Sequence, residues 1–220
     1  MIKAVIFDMD GLMVDTEHLH HQSFKATLEK RGINPIPNEQ GIIHVSGISS
    51  EDNWKNFKKQ YNFEADSADL SRDKHEFHLQ LLKENVTAMP GLLKLLEKLK
   101  ANHIKMAIAS SSVRQQIDLI TSKLEISDFF DAVISGEDIK NGKPAPDIFL
   151  SAAKALQVDP KECVVLEDAT SGVSAGKAAG MRVIAVPNEF NKHEDFKDAD
   201  IVLDSLEKVD MNLLALTMTP

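Results

Sequence analysis

Cysteine is almost missing from this chain: Cys163 stands alone among 220 residues. A single thiol excludes an intramolecular disulfide framework and fits a reducing compartment. Its place in the apolar run Cys163-Val164-Val165-Leu166 suits a small core residue better than a nucleophile. Positive charge is also short. Lys and Arg number 25 against 34 Asp and Glu, a net charge of −9, which argues against a nucleic-acid partner, since that would want a basic face. The same deficit disfavours an anionic membrane surface. An anionic substrate would need positive charge supplied by the site itself. No apolar run approaches the length of a membrane span. The chain goes straight into a strand pattern, with charged Asp8 too early for the apolar region of a signal peptide. The expectation is a cytoplasmic protein. Nucleotide fingerprints are missing as well. There is no Gly-x-x-x-x-Gly-Lys-Ser/Thr, and Gly172-Val173-Ser174-Ala175-Gly176 lacks the third glycine of a dinucleotide loop.

What is present is an ordinary globular composition, 43% hydrophobic and 27% charged, at a length suited to one large domain or a core with an insert. The run Lys3-Ala4-Val5-Ile6-Phe7 predicts a buried parallel strand. From about residue 91 strands and helices alternate. Strands are expected at 104–109, 132–134, 163–166 and 183–186. Apolar stripes between them mark helices, such as Leu92, Leu95, Leu96 and Leu99, or Phe149, Ala152, Ala153 and Leu156. Such alternation predicts an α/β fold, a Rossmann-like parallel sheet with helices on both faces. Residues 17–89 hold no convincing strand but three helical stretches, near 17–31, 50–61 and 67–85. The expected organisation is an α/β core of 1–16 and 90–220, with a helical cap of 17–89 inserted after the first strand. Trp54 and Phe57, three apart, are expected to form the small core of that insert.

Asp8-Met9-Asp10-Gly11 follows the first strand directly, so two carboxylates leave its end together. They would repel each other unless something positive sits between them. Three further polar sites fall where strands end: Ser110 with Ser111 and Ser112 behind it, Lys143 in Gly142-Lys143-Pro144-Ala145-Pro146, and Glu167-Asp168. In a parallel sheet these ends converge on one rim, where ligands of open α/β sheets bind. Carboxylates with a substrate phosphate suit Mg²⁺, which takes oxygen ligands. A serine hydroxyl and a lysine can hold phosphoryl oxygens. One aspartate can attack phosphorus while the second moves protons.

These motifs, in this order, closely resemble the haloacid dehalogenase superfamily of phosphotransferases. They read Asp8-Met9-Asp10-Gly11, Ile108-Ala109-Ser110, Gly142-Lys143-Pro144 and Val164-Val165-Leu166-Glu167-Asp168. The resemblance implies that Asp8 is the nucleophile and Asp10 the general acid/base. It implies that Ser110, Ser111 and Lys143 bind the phosphoryl group, and that Asp8, the Asp10 carbonyl, Glu167 and Asp168 hold Mg²⁺. A metal-free dehalogenase is a poorer match, because such members lack the second aspartate and the magnesium carboxylate. A non-catalytic phospholigand-binding protein would be expected to have lost at least one of the nucleophile, the acid/base, the lysine and the metal carboxylate, and all are present here.

The insert resembles the helical cap of the β-phosphoglucomutase-like subfamily. On that resemblance Thr16 lies at the hinge, and His20 matches a histidine that assists proton transfer; a surface helix histidine is the competing reading. Gly47 and Ser50 fall in the matching substrate loop, where a phosphosugar mutase has arginine at the position of Ser50. Arg72 or Lys74 could supply positive charge instead, or be solvated helix residues. The other histidines, His75 and His78 included, are expected on solvated helix faces. The expected activity is a Mg²⁺-dependent phosphatase for a small phosphorylated metabolite, working as a monomer, with a mutase as the alternative.

Overall fold

Ala4–Phe7 forms β1, the strand at the middle of the sheet, and all four of its residues are buried. The structure is a computed structural model that describes residues 2–38, 41, 43–44 and 50–216. The other strands are β2 (Lys105–Ser110), β3 (Ala132–Ser135), β4 (Cys163–Glu167), β5 (Arg182–Ala185) and β6 (Ile201–Val202). They make a six-stranded sheet of order β3-β2-β1-β4-β5-β6, parallel throughout. β1 and the first four residues of β4 read as unbroken apolar runs because both of their faces are covered. Helices α6 (Asp147–Leu156) and α7 (Thr170–Ala178) cover one face. There Ile148, Phe149, Ala152 and Val173 meet Ala4, Ile6, Ala107 and Val165. Helices α4 (Leu92–Ala101) and α5 (Arg114–Lys123) bury Leu95, Leu96, Leu99, Ile117 and Ile120. The expected fold class holds. β6 lay outside the expected strands, since two residues of partly exposed edge carry no period.

The chain returns to β1 from opposite sides: β2 pairs with one flank and β4 with the other, both in register at Phe7, opposite Ile108 and Leu166. This is the strand-order reversal at which ligands of such sheets bind. Asp8 N donates to Leu166 O at 3.0 Å, so Asp8 and Glu167 leave the sheet level with each other.

The chain divides into two compact units, Met1–Asp15 with Val86–Pro220, and Thr16–Asn85. The division lies a few residues from the expected 16/17 and 89/90 boundaries. Residues 86–89 stay with the sheet unit because Asp15 N donates to Thr87 O at 3.1 Å and Met89 N to Met13 O at 2.8 Å.

The second unit holds α1 (Glu17–Glu29), α2 (Ser50–Tyr61) and α3 (Ser67–Glu84). Its core is Phe24, Leu28, Trp54, Phe57 and Leu70, with Phe24 edge-on to Trp54 at 4.8 Å. Its interior is unexpectedly polar. His78 is fully buried, accepts or donates at Ser23 Oγ (3.0 Å), and stacks on His20 at 4.1 Å. Lys74 is buried too, with Nζ 2.8 Å from His20 Nδ1 and over the Phe24 ring. Both corrections to the solvated-helix expectation have one cause. Helix α3 packs on α1, so its inward stripe runs through Lys74 and His78, and Ser23 and His20 of α1 meet His78 Nδ1 and Lys74 Nζ. No helix among the described residues is long and apolar enough to cross a membrane.

Candidate active site

Asp8, Glu167 and Asp168 form a buried carboxylate group whose oxygens lie within 4.8 Å of one another. The Lys143 ammonium, 8% exposed, is ion-paired with Asp8 and lies 2.6 Å from Glu167 Oε1. It also sits 5.0 Å over the Phe149 ring. Burial pushes the Asp8 carboxyl up, to about 7; Lys143 opposes the rise, and Glu167 and Asp10 add to it. Burial pulls Lys143 down, but Asp8 and Glu167 outweigh it and hold the ammonium above its ordinary range. Two of these carboxylates pair with the one ammonium and Asp168 lies beside them, an excess of negative charge in a buried place. A divalent cation relieves such an excess, and the donor set is entirely oxygen, which fits a hard metal.

The local chain is built around these oxygens. Glu167 Oε2 accepts from Asp168 N and Ala169 N, each at 2.9 Å. Gly172 in the first turn of α7 leaves the room: a Cβ there would stand 1.6 Å from Glu167 Oε1. Gly11 has φ +84, and a Cβ on it would lie 2.3 Å from Asp168 Oδ2. Only glycine meets both the conformation and the space.

Asp10, two residues after Asp8, turns elsewhere. Its Oδ2 accepts from Ser112 Oγ at 2.7 Å and is 3.4 Å from Ser110 Oγ. Ser110 is buried at the end of β2, and its Oγ accepts from Ser112 N at 3.0 Å. The core residues expected at the site, Asp8, Asp10, Ser110, Lys143, Glu167 and Asp168, therefore do gather on the rim. Ser111 is in the same turn with its side chain exposed. Cys163, at the start of β4, is buried, with its thiol pushed up to about 12, chiefly by burial, which fits the role of a small core residue.

Sequence reasoning missed Ser112 as a partner of Asp10, and missed Asn188 and Asn191. Both asparagines donate from Nδ2 to Asp168 Oδ2, each at 2.8 Å. The stretch 188–200 is indeed loop, but its polarity hid two inward amides, and Asn191 is 2% exposed.

In the other unit, Thr16 precedes α1 and its carbonyl accepts from Leu19 N and His20 N. Ser50 is the first residue of α2 and half-buried. Arg72 is exposed on α3 and pairs with Asp69 at 2.6 Å one turn back. Gly47 lies outside the described residues.

Residues 5–186 match the family described as Haloacid dehalogenase-like hydrolase. The chain is 33% identical over 213 residues to the phosphorylated carbohydrates phosphatase of Thermotoga maritima, covering 91% of this chain and 93% of that protein. It is 33% identical over 221 residues to the β-phosphoglucomutase of Bacillus subtilis, covering 97% and 94%. Among solved structures, CbbY from Rhodobacter sphaeroides in complex with phosphate superposes with TM-score 0.83 at 28% identity, covering 94% of this chain and 96% of that one. A variant of the same protein has been solved with xylulose-(1,5)bisphosphate. By sequence and by structure, this chain belongs to the haloacid dehalogenase-like hydrolases, close to CbbY, β-phosphoglucomutase and the phosphosugar phosphatases.

Proposed function

We propose that this hydrolase is a Mg²⁺-dependent phosphatase of small phosphomonoesters, sugar phosphates among them, acting through an aspartyl-phosphate on Asp8. One observation carries the reading. Asp8 lies with Lys143, Glu167 and Asp168, while the Asp10 carboxylate is turned to Ser110 and Ser112. That separation supports two roles for two aspartates. Asp8, Glu167, Asp168 and the Asp10 carbonyl are the groups proposed to hold Mg²⁺, which would supply charge stabilisation at the phosphoryl oxygens.

The Asp8 carboxylate attacks phosphorus, and the bond from phosphorus to the ester oxygen breaks. Asp10 delivers its proton to that oxygen and the alcohol departs. Water then attacks the same phosphorus, Asp10 takes back a proton, and the bond to Asp8 breaks to release phosphate. Lys143 offsets the repulsion between an anionic nucleophile and an anionic phosphoryl group, an effect enlarged by burial. Ser110 and Ser111 are the proposed donors to the remaining phosphoryl oxygens.

The likeness to β-phosphoglucomutase favours a mutase as second reading. Ser50, where phosphosugar mutases have arginine, supports hydrolysis instead, because a mutase must retain a doubly phosphorylated intermediate. A panel of phosphomonoesters with Mg²⁺ decides. Steady phosphate release is expected from at least one ester, and is abolished in Asp8→Asn with the fold intact. Conversion of β-glucose 1-phosphate to the 6-phosphate without release would establish the mutase.

A further inference from the structure

Two neutral amides hold one oxygen of Asp168, and their orientation is set by the bonds they accept. Asn191 Oδ1 accepts from Asn188 N at 2.8 Å, and Asn188 Oδ1 accepts from Phe190 N at 2.9 Å. With each carbonyl oxygen committed to a backbone N–H, each Nδ2 must face the other way, and both face Asp168 Oδ2. Asn188 Nδ2 is also 3.3 Å from Gly11 O, which ties the loop to the turn after β1. An sp² carboxylate oxygen has two lone pairs, and two amides fill them. Oδ1 is then the atom that Asp168 offers to a cation. Amides donate without bringing positive charge, so the carboxylate is fixed but not neutralised. A lysine in their place would fix it and compete with the metal.

We propose that Asn188 and Asn191 are positioning residues that hold Asp168 as a one-oxygen ligand and thereby favour Mg²⁺ over Ca²⁺; this rests on the magnesium reading above. Mg²⁺ demands near-octahedral geometry with single oxygens, whereas Ca²⁺ accepts carboxylates with one or both oxygens at higher coordination number. A carboxylate freed to rotate loses the first ion more than the second. Outer partners of metal ligands typically change affinity by about 10-fold to 100-fold.

The test is calorimetric titration of the whole protein with MgCl₂ and with CaCl₂, for the wild type, Asn191→Ala and Asn188→Ala. Melting without metal checks that each variant is folded. Asn188 is the less buried of the two, so Asn188→Ala keeps the test open should the Asn191 variant not fold. The expected result is a Mg²⁺ dissociation constant raised about tenfold or more in Asn191→Ala, with a smaller rise for Ca²⁺ and a smaller effect of both kinds in Asn188→Ala. An unchanged Mg²⁺ to Ca²⁺ ratio in folded variants overturns the inference and leaves the phosphatase reading standing. A wild type that binds neither ion overturns the magnesium reading itself, and this inference with it.

Discussion

Gly172→Ala is the sharpest perturbation of the site that leaves every charged group in place. The added Cβ would stand 1.6 Å from Glu167 Oε1, 2.0 Å from its Cδ and 2.6 Å from Oε2. Ordinary contact begins at 3.4 Å, so the oxygen must retreat by about 1.8 Å or α7 must lift from the sheet. Retreat is costly, because this carboxylate, 1% exposed, accepts from Lys143 Nζ at 2.6 Å and from Asp168 N and Ala169 N at 2.9 Å. A hydrogen bond to a charged group is worth about 1.5–3 kcal/mol, so losing two costs about 3–6 kcal/mol. Alanine's better helix propensity offsets only about 1 kcal/mol of that. For a chain of this size the net loss lowers the melting midpoint by roughly 5–15 °C. Thermal denaturation by circular dichroism measures it. Gly142→Ala is the control, since its Cβ would meet nothing within 4 Å. A Gly172→Ala protein that melts within about 2 °C of the control would refute the reasoning, because a clash of this size has no cheap relief.

Two other perturbations test different parts of the molecule. Ser112→Ala removes the 2.7 Å bond to Asp10 Oδ2 and is expected to lower kcat about 10-fold to 100-fold with KM little changed; steady-state kinetics at saturating ester would refute this with a wild-type kcat. Acid stability tests the ion pairs: hydrogen bonds from Lys30 and Arg31 hold Asp73 below the usual carboxylate range. At Asp200, burial pushes the carboxyl up, but Lys177, the Val183 N–H and Arg182 outweigh it and keep it low. Their folded values lie below the unfolded one, so their contribution is present above about pH 4 and is lost as pH falls through the depressed values. Asp73→Asn is expected to flatten that acid loss in urea titrations between about pH 5 and 2, and an unchanged slope would count against the pair.

The long-range layout was legible because each strand of the sheet interior announces itself. Ala4–Phe7 and Cys163–Glu167 are uniformly apolar until the residue where chemistry begins, and a parallel sheet sends all such ends to one rim. Asp8, Ser110, Lys143 and Asp168 are therefore placed together by the sequence pattern alone. The partners were not legible. Asn188 and Asn191 meet Asp168 across 20 and 23 residues, and nothing in a polar loop marks which amides turn inward. His78 and Lys74 misled for a related reason. Polar residues on a helix look solvated until a second helix supplies Ser23 and His20 to receive them. Periodicity reports which face is apolar, and it is silent on a polar face that finds its own partners.

The hydrogen bonds between residues 13–15 and 87–89 also bear on how this chain comes together. Val14 bridges Ala88 in antiparallel fashion, so the two ends of the Thr16–Asn85 unit are clamped side by side. For β1 to find β2, the chain must close a loop as long as that whole unit. Closure entropy grows only with the logarithm of loop length, and a folded insert whose ends already meet shortens the effective connection to residues 8–15 and 86–104, an ordinary parallel crossover through α4. The first strand can thus be separated from the rest of its sheet by an entire helical unit without a matching penalty in search. In such an arrangement the insert lengthens the chain between β1 and α4 without lengthening the path that the sheet must close.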